Sequence, residues 1–331
     1  WRRGVPADYL RDLAEHWRTG FDWRAQEARL NEFPQFVTEI DGTDIHFLHV
    51  RSDKPDALPL ILTHGWPNSF VEFVPAIEAL TAQGFHLVIP SVPGYGFSGV
   101  PQETGWTVTR VAQIWAELMR RLGYSRYGAE GGDLGAYVAP ELARVAPENV
   151  VGVYVLSGLG FPTQDDLPEM TDEERAAFAE VMNMDWMTGV DHHALLRAAP
   201  QTFAYGWNDS PVAALAWMTQ KFHEFNPTGK PLADVIPRDL FLTNVSVYWF
   251  TRTFGTSSWF SYDSTGFAWP AGQKAVPTGV YSGPPGIRRF AERTNKIVHW
   301  STHNPMGHHF IAMDHPLELA ADIKAFFTGL S

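Results

Sequence analysis

Hydrophobic and polar positions repeat along the chain with two different periods, and the change from one to the other predicts most of the elements. Short apolar runs are typical of buried strands, and apolar positions three or four residues apart are typical of amphipathic helices. The predicted strands include 58–64, 85–90, 149–157 and 274–282, and the predicted helices include 69–84, 106–123, 133–147 and 316–329. Strands that alternate with helices indicate an α/β fold with a mostly parallel sheet, covered on both faces.

Two parts of the chain depart from this alternation. Near the start, Leu10, Leu13 and Trp17 recur at helical spacing, and Asp41-Gly42 then gives a hairpin signal. Later, a stretch of about 100 residues is mainly helical, rich in aromatic residues and irregular, as a lid over a pocket would be. We therefore divide the chain into an N-terminal arm (1–40), an α/β core (41–159 and 267–331) and a helical lid (160–266).

Composition narrows the classes of function. The net charge of −12 and the lack of a basic run argue against nucleic acid as a partner. No apolar run approaches the length of a membrane span, and the absence of cysteine excludes thiolate catalysis and cysteine-ligated metals and fits a cytoplasmic location. An aromatic content of 14% fits an apolar ligand cavity, although a tryptophan-rich core explains it equally well. For the assembly we keep a homodimer open.

The sequence Gly131-Gly132-Asp133-Leu134-Gly135 ends a predicted strand and begins a helix. Small residues on both sides of a reactive one are the layout of the sharp turn on which many hydrolases hold a serine. Here the central residue is an aspartate. Asp133 could be an ordinary helix N-cap, but the flanking glycines and the following helix favour a nucleophile.

A second loop, 63–70, also lies between a strand and a helix and reads Thr-His-Gly-Trp-Pro-Asn-Ser-Phe. In hydrolases of this layout such a loop gives one backbone N–H to a developing oxyanion, and the residue after the nucleophile gives the other. These donors would be the amides of Trp66 and Leu134. His64 is expected to border the same pocket.

A general base is expected in the loop 304–316, which lies between the last strand and the last helix and reads Asn-Pro-Met-Gly-His-His-Phe-Ile-Ala-Met-Asp-His-Pro. A histidine that follows the nucleophile in chain order suits this role, and His308 and His309 compete for it. The nearby histidines do not have the spacing of a metal motif, so we expect neither a metal nor a cofactor.

The glycine-rich stretch 94–99 formally matches a dinucleotide fingerprint. That motif must run directly into a helix, with an acidic residue about 20 positions later. Here Pro101 follows, the helix starts near Trp106, and no acidic residue lies between 104 and 116. We interpret the stretch as a loop beside the active site.

An aspartate nucleophile suits an sp³ carbon that carries a leaving group, because the attack leaves an alkyl ester on the enzyme. Water activated by a histidine can then attack the carbonyl of that ester, and an oxyanion hole stabilises the intermediate. Epoxides and alkyl halides are the substrates that fit. An epoxide oxygen needs an acid such as a tyrosine hydroxyl, whereas a halide needs N–H donors such as an indole.

With these segments in place, the chain resembles the α/β-hydrolase-fold epoxide hydrolases of the microsomal and juvenile-hormone type. The segments that carry the resemblance are 21–36, 40–52, 62–73, 93–98, 131–137, 200–217, 248–260 and 307–316. The resemblance implies that Asp133 is the nucleophile. It also implies that His309 is the base, because the family's Gly-Gly-His-Phe stretch matches residues 307–310, with His308 in place of a glycine.

The sequence departs from the family at the acid that should support the histidine. The family places Glu or Asp after the strand corresponding to 277–282, but the loop here is Gly-Pro-Pro-Gly-Ile-Arg-Arg-Phe and has no carboxylate. Glu130, just before the two glycines, is either a substitute acid or a charge at the end of a strand. A slow hydrolase therefore follows from the resemblance, unless another acid has taken over.

The two lid tyrosines that protonate the epoxide oxygen in the family are also displaced. The first falls at His192 and the second at Ser261, with Tyr262 adjacent, and Tyr205 is a further candidate donor. Tryptophans of the lid are expected to form the walls of the pocket. They are Trp186, Trp207, Trp217, Trp249 and Trp259.

We therefore predict a cofactor-free hydrolase that opens an epoxide of a mainly apolar small molecule to a diol, through an ester on Asp133. Three alternatives stay open: a dehalogenase, an epoxide-opening cyclase or isomerase, and a binding protein that has lost catalysis. A dehalogenase would release halide, a cyclase would form product without oxygen from water, and a binding protein would tolerate Asp133→Asn.

Overall fold

A computed structural model describes residues 1–156, 158–183, 189, 191–263, 273–283, 286–303 and 308–330. Its centre is an eight-stranded sheet in the order β1-β2-β4-β3-β5-β6-β7-β8. The strands are β1 Gln35–Ile40, β2 Thr43–Val50, β3 Leu58–Thr63, β4 Phe85–Pro90, β5 Tyr127–Gly132, β6 Val150–Leu156, β7 Gln273–Tyr281 and β8 Asn295–Ser301. β2 is antiparallel to both β1 and β4, and the remaining pairs are parallel, which confirms the predicted sheet.

Helices cover both faces of this sheet. One face carries α4 and α5 and the other carries α3 and α15, each with its apolar side buried. The helices are α1 Ala7–Thr19, α2 Trp23–Leu30, α3 Ile77–Ala82, α4 Val108–Arg121, α5 Gly135–Val145, α6 Asp172–Val181, α7 His192–Ala198, α8 Pro200–Asp209, α9 Pro211–Glu224, α10 Arg238–Thr251, α11 Thr253–Thr256, α12 Trp259–Asp263, α13 Arg288–Ala291, α14 Ile311–Asp314 and α15 Pro316–Thr328. No described helix has both the length and the apolar character that crossing a bilayer requires.

The hairpin signal at Asp41-Gly42 is confirmed. Both residues have left-handed backbones, with φ of 53° and 72°, as a tight turn between antiparallel strands demands. β1 is therefore part of the sheet. Within the predicted arm (1–40), only the residues before Gln35 lie outside the sheet.

The helix predicted over 69–84 is divided in two. Residues Phe70–Ala76 form a 3₁₀ helix, and α3 begins only at Ile77. Pro75 explains the division, because a proline has no N–H for the α-helical ladder and its ring clashes with the preceding turn. Ser69 caps the segment as expected, since its hydroxyl accepts the N–H of Val71 at 3.3 Å.

The arm packs on helices of the lid region as well as on the core. The Trp17 indole donates to Ser246 Oγ on α10 at 2.9 Å, and Leu13 is buried. The ring of Trp1 stacks on His223 of α9 with 3.6 Å between centroids. The arm therefore packs against helices α9 and α10, which follow β6 in the chain.

Candidate active site

Asp133 lies on a sharp turn between β5 and α5. Its φ of 51° is in the left-handed region, which a residue with a side chain rarely adopts. The flanking glycines permit this turn, because a Cβ on Gly131 would lie 2.2 Å from the carbonyl oxygen of Gly135 and one on Gly135 would lie 2.0 Å from that of Thr63. Only residues without side chains fit at both positions, so the turn projects the aspartate beyond the carboxyl end of the sheet.

Two backbone amides point at one oxygen of this aspartate. Trp66 N–H donates to Asp133 Oδ1 at 2.9 Å, and Leu134 N–H donates to the same atom at 2.7 Å. The two N–H groups that the sequence assigned to an oxyanion hole thus converge. An ester formed at the other oxygen, Oδ2, would leave Oδ1 as a carbonyl oxygen in this hole, where negative charge appears when water attacks.

Gly65 and His64 fix the loop that provides the Trp66 amide. A Cβ on Gly65 would lie 2.3 Å from Asp133 Cβ, so the loop can approach the nucleophile only with glycine there. His64 is fully buried, donates from Nδ1 to the Gly65 carbonyl at 3.2 Å and accepts the Val92 N–H at Nε2 at 3.2 Å. Burial lowers its pKa to about 4. His64 therefore supports the loop as a neutral ring. Contrary to the expectation from the sequence, it does not line the pocket.

Helix α10 holds the same loop from the other side. Asn244 Nδ2 donates to the carbonyl of Pro67 at 3.0 Å, and Ser69 Oγ donates to Asn244 Oδ1 at 2.7 Å. Tyr248 Oη donates to the carbonyl of Asn68 at 2.5 Å. Sequence reasoning missed these residues, although polar side chains within the apolar run 240–249 were a signal for them.

The base candidate His309 faces the nucleophile. Its Nε2 is 3.6 Å from Asp133 Oδ2, and the side chains of both residues are 27% exposed. Its ring stacks on Phe225 of α9 with 4.6 Å between centroids. Burial lowers the pKa of His309, and the charge of Asp133 opposes that shift. A neutral imidazole at this distance can accept a proton from a water molecule near the ester.

His308, the competing histidine, has a different partner. Its Nδ1 hydrogen-bonds the carboxylate of Asp314 on α14. His315 lies next to this pair, with Nε2 3.5 Å from Asp314 Oδ1. In the described part of the chain, His308, Asp314 and His315 form the one group whose ligand atoms lie within 4.8 Å and could hold a metal ion. Because His308 and Asp314 hydrogen-bond to each other, we interpret the group as an anchor of the loop that carries His309.

Glu130 does not take the place of the acid. Its side chain is fully buried in β5, and neither of its carboxyl oxygens has a hydrogen-bond partner among the described residues. Burial, with the nearby charge of Glu72, raises its pKa well above the ordinary value. Within the described residues, Asp133 is the one carboxylate within 4.0 Å of the His309 ring. The expectation that Glu130 serves as a charged substitute acid is not supported, because burial favours the neutral form of its carboxyl group.

The candidate ring-opening donors differ in how far they are buried. Tyr205 on α8 is 71% exposed and Tyr262 on α12 is 48% exposed, so the structure leaves both side chains at the surface and supports neither as a donor. His192 is buried, and its ring stacks on the Trp66 indole with 5.1 Å between centroids and 15° between planes. Burial first of all, and then neighbouring positive groups, lower its pKa to about 2.

Aromatic rings extend from this stack. Trp66 packs at 5.9 Å against Trp217, which stacks at 5.3 Å on the buried Trp207. Trp217 therefore lies beside the oxyanion loop, and Trp207 lies behind it. Trp259 on α12 is half-buried, and Trp186 lies outside the described residues. The wall is therefore apolar, with imidazoles set into it.

Comparison with known proteins agrees with this geometry. The family model for the epoxide hydrolase N terminus matches residues 1–73, and the model for the alpha/beta hydrolase fold matches residues 59–202. A protein of Stigmatella aurantiaca named "Putative epoxide hydrolase" is 38% identical over 344 residues, which span 100% of this chain and 78% of that one.

Two further proteins extend the likeness. Juvenile hormone epoxide hydrolase 2 of Ctenocephalides felis is 32% identical over 97% of this chain and 77% of its own length. The solved structure of the Aspergillus niger epoxide hydrolase superposes with a TM-score of 0.84 at 32% identity, over 100% of this chain and 87% of that one. The chain therefore belongs to the epoxide hydrolase family, the enzymes of the α/β-hydrolase fold that open an epoxide to a diol.

Proposed function

We propose that this chain opens an epoxide of a mainly apolar molecule through an ester on Asp133, which water activated by His309 then hydrolyses. The observation that carries the proposal is the placement of Asp133. One of its oxygens accepts two backbone N–H groups, while the other faces an imidazole at 3.6 Å. This division assigns a separate role to each oxygen.

In the first step, Asp133 Oδ2 attacks an epoxide carbon, the carbon–oxygen bond breaks, and its electron pair moves to the epoxide oxygen, which takes up a proton. The product is an alkyl ester whose carbonyl oxygen is Oδ1. In the second step, His309 removes a proton from water as the water attacks the carbonyl carbon of the ester. The bond between that carbon and the alkyl oxygen then breaks, the departing oxygen takes the proton back from His309, and the diol and the free Asp133 carboxylate result. The amides of Trp66 and Leu134 stabilise the negative charge that develops on Oδ1.

Hydrolysis of the ester, which frees the diol, is the slow step in this proposal. An acid behind the histidine fixes its tautomer and stabilises its cation, and loss of such a group from a serine triad lowers turnover by about four orders of magnitude. The loop after β7 supplies no carboxylate, and the described residues place only Asp133 within ion-pair distance of His309. We therefore expect the ester to accumulate even in the unaltered enzyme.

Intact mass spectrometry after exposure to styrene oxide tests the scheme. We expect a covalent adduct of one substrate mass on His309→Gln that persists, a transient adduct on the unaltered chain, and no adduct on Asp133→Asn. His16→Gln, on the exposed arm, is the matched histidine control and should behave as the unaltered chain. An equal adduct on Asp133→Asn, or none on His309→Gln, contradicts the proposed roles.

The aromatic surroundings support the choice of substrate class. Trp66 packs against Trp217, which stacks on Trp207, and Phe225 stacks on the His309 ring. Such walls favour aryl or long alkyl groups over charged ones. A comparison of kcat/KM between styrene oxide and glycidol, a small polar epoxide, measures this preference, and a preference for glycidol contradicts it.

A further inference from the structure

Opening an epoxide requires a proton for the departing oxygen, and the described structure offers an unusual set of groups to supply it. Tyr205 and Tyr262 lie at the surface. Two adjacent histidines, His192 and His193, begin helix α7 instead. The side chain of Asp191 fixes this end of the helix by accepting the Ala194 N–H at 3.0 Å.

The start of α7 is held over the site by aromatic contacts. The His192 ring stacks on Trp66, whose amide contacts the nucleophile, and its edge meets Phe225, with 5.5 Å between centroids. Phe225 in turn stacks on His309. His192 therefore bridges the oxyanion loop and the residue that supports the base. A buried ring enclosed in this way, with a pKa of about 2, stays neutral and serves as a spacer.

His193 is placed differently. Its ring centroid is 4.0 Å from that of His192, its plane is tilted by 37°, and the residue is only partly buried. It lies near enough to Asp133 for the carboxylate to raise its pKa against the lowering effect of burial. The two imidazoles thus differ in their surroundings. His192 is enclosed by aromatic rings, whereas His193 interacts electrostatically with Asp133.

We propose that His193 is the catalytic acid that donates a proton to the epoxide oxygen as Asp133 attacks. This inference rests on the proposed function and names a residue for its first step. The imidazolium of His193 loses its proton to the oxygen that leaves carbon, and Asp133 becomes an ester. The negative charge of Asp133 and the positive charge of His193 therefore disappear together, and no net charge forms in the apolar chamber.

The charges around His193 determine how the first step depends on pH. Asp133 and Asp191 raise its pKa, whereas burial, Arg197 and Lys221 lower it, with burial the largest effect. Lys221 is itself bonded to Glu224 at 2.5 Å. Asp263, from the packed helix α12, accepts the Trp106 N–H at 3.1 Å. Because these groups together lower the pKa of His193 below 6.5, its protonated fraction grows only at acidic pH and decreases as the pH rises toward 7.

The experiment isolates ring opening by working in the His309→Gln background, where the ester should persist. Rapid-quench mass spectrometry with styrene oxide gives the rate of adduct formation between pH 5 and pH 8. With His193 present, we expect this rate to rise as the pH falls below 6.5. With His193→Gln added, we expect a rate at least 10-fold lower that no longer rises in acid, since a general acid contributes roughly 10²–10⁴-fold.

Two further variants separate chemistry from structure. In His193→Ala, added imidazole should restore part of the rate, which a purely structural role does not allow. His16→Gln in the same background should keep both rate and pH profile. An unchanged rate and profile in His193→Gln overturns the inference while leaving the proposed function intact. Absence of adduct in His309→Gln itself overturns the proposed function, and the inference with it.

Discussion

At the scale of single residues, three acidic side chains around the elbow differ because their surroundings differ. Asp133 is partly exposed and accepts two backbone N–H groups, as a carboxylate does. Glu72 is buried, which raises its pKa to about 8, although it accepts a backbone hydrogen bond from Gly65. Glu130 is buried without a hydrogen-bond partner among the described residues, and burial raises its pKa well above the ordinary value. Burial therefore favours the protonated form of both glutamates, which limits repulsion of the nucleophile's charge.

Glu130→Gln should reveal this protonation as a dependence of stability on pH. The pKa of Glu130 is raised in the folded state, so its carboxyl group favours folding below the unfolded value of 4.5 and disfavours it increasingly as the pH rises through the folded value. We expect the variant to gain stability relative to the unaltered chain by about 1.4 kcal/mol per pH unit above that lower limit.

Urea unfolding at pH 5, 6 and 7 measures the difference between the two chains. Glu173→Gln removes the same formal charge from the exposed start of α6 and separates the effect of net charge from that of burial. A stability difference between Glu130→Gln and the unaltered chain that stays constant with pH shows that Glu130 is ionised inside the protein.

The sequence indicated the position of the nucleophile but not the state of Glu130 three residues earlier. The elbow is a local pattern, because Gly131 and Gly135 are required by contacts within one turn of chain. The environment of Glu130 comes from the two strands that flank it, where Leu62 and Tyr154 are its neighbours in register. Strand pairing brings together residues that are distant in sequence. The pattern of apolar residues along one strand does not specify these partners, so the environment of Glu130 could not be predicted.

At the scale of elements, the oxyanion loop is held by a helix that belongs to another part of the chain. The loop 64–69 follows β3, whereas α10 lies about 180 residues later. Asn244 both donates to the Pro67 carbonyl and accepts from Ser69, so one side chain connects two points of the loop. All three groups are buried, which makes each of these hydrogen bonds costly to leave unmade.

Asn244→Ala should therefore weaken both stability and turnover. Each buried polar group left without a partner lowers the free energy of unfolding by roughly 1–3 kcal/mol. A displaced Trp66 amide should lower kcat more than it raises KM, because this N–H stabilises the charge that develops on Asp133 Oδ1 during ester hydrolysis. Thermal unfolding and steady-state kinetics with styrene oxide measure the two effects. Asn208→Ala, at an exposed asparagine of α8, should leave both unchanged. A normal kcat in a destabilised Asn244→Ala would show that α10 does not position the loop.

Elements were predicted best where one period ran without interruption. Helix α4 and strands β4 and β6 agree with the predicted segments to within two residues. The segment 69–84 failed as a single helix because the backbone chemistry of Pro75 outweighed its apolar spacing. The contacts of α7 could not be foreseen, since stacking of His192 on Trp66 joins segments more than 100 residues apart.

At the scale of the whole molecule, the arm links the sheet to the helices above the site. It leads through α2 into β1 at one edge of the sheet, while α1 packs on α9 and bonds to α10. Those two helices carry Phe225 at the end of α9, against His309, and Asn244, against the oxyanion loop. The arm therefore lies behind both halves of the catalytic apparatus.

Leu13→Ala should test whether the arm supports the site from this distance. Leu13 is 6% exposed in the main core cluster, and removing a buried leucine side chain costs about 2–5 kcal/mol. Because α1 rests on α9 and α10, we expect a single cooperative unfolding transition at lower temperature, in place of a separate loss of the arm. Calorimetry measures the transition, and Leu317→Ala, at a residue 72% exposed, is the matched control. Two transitions, the earlier without loss of activity, would mean that the arm is an independent unit and that α9 and α10 hold the site unaided.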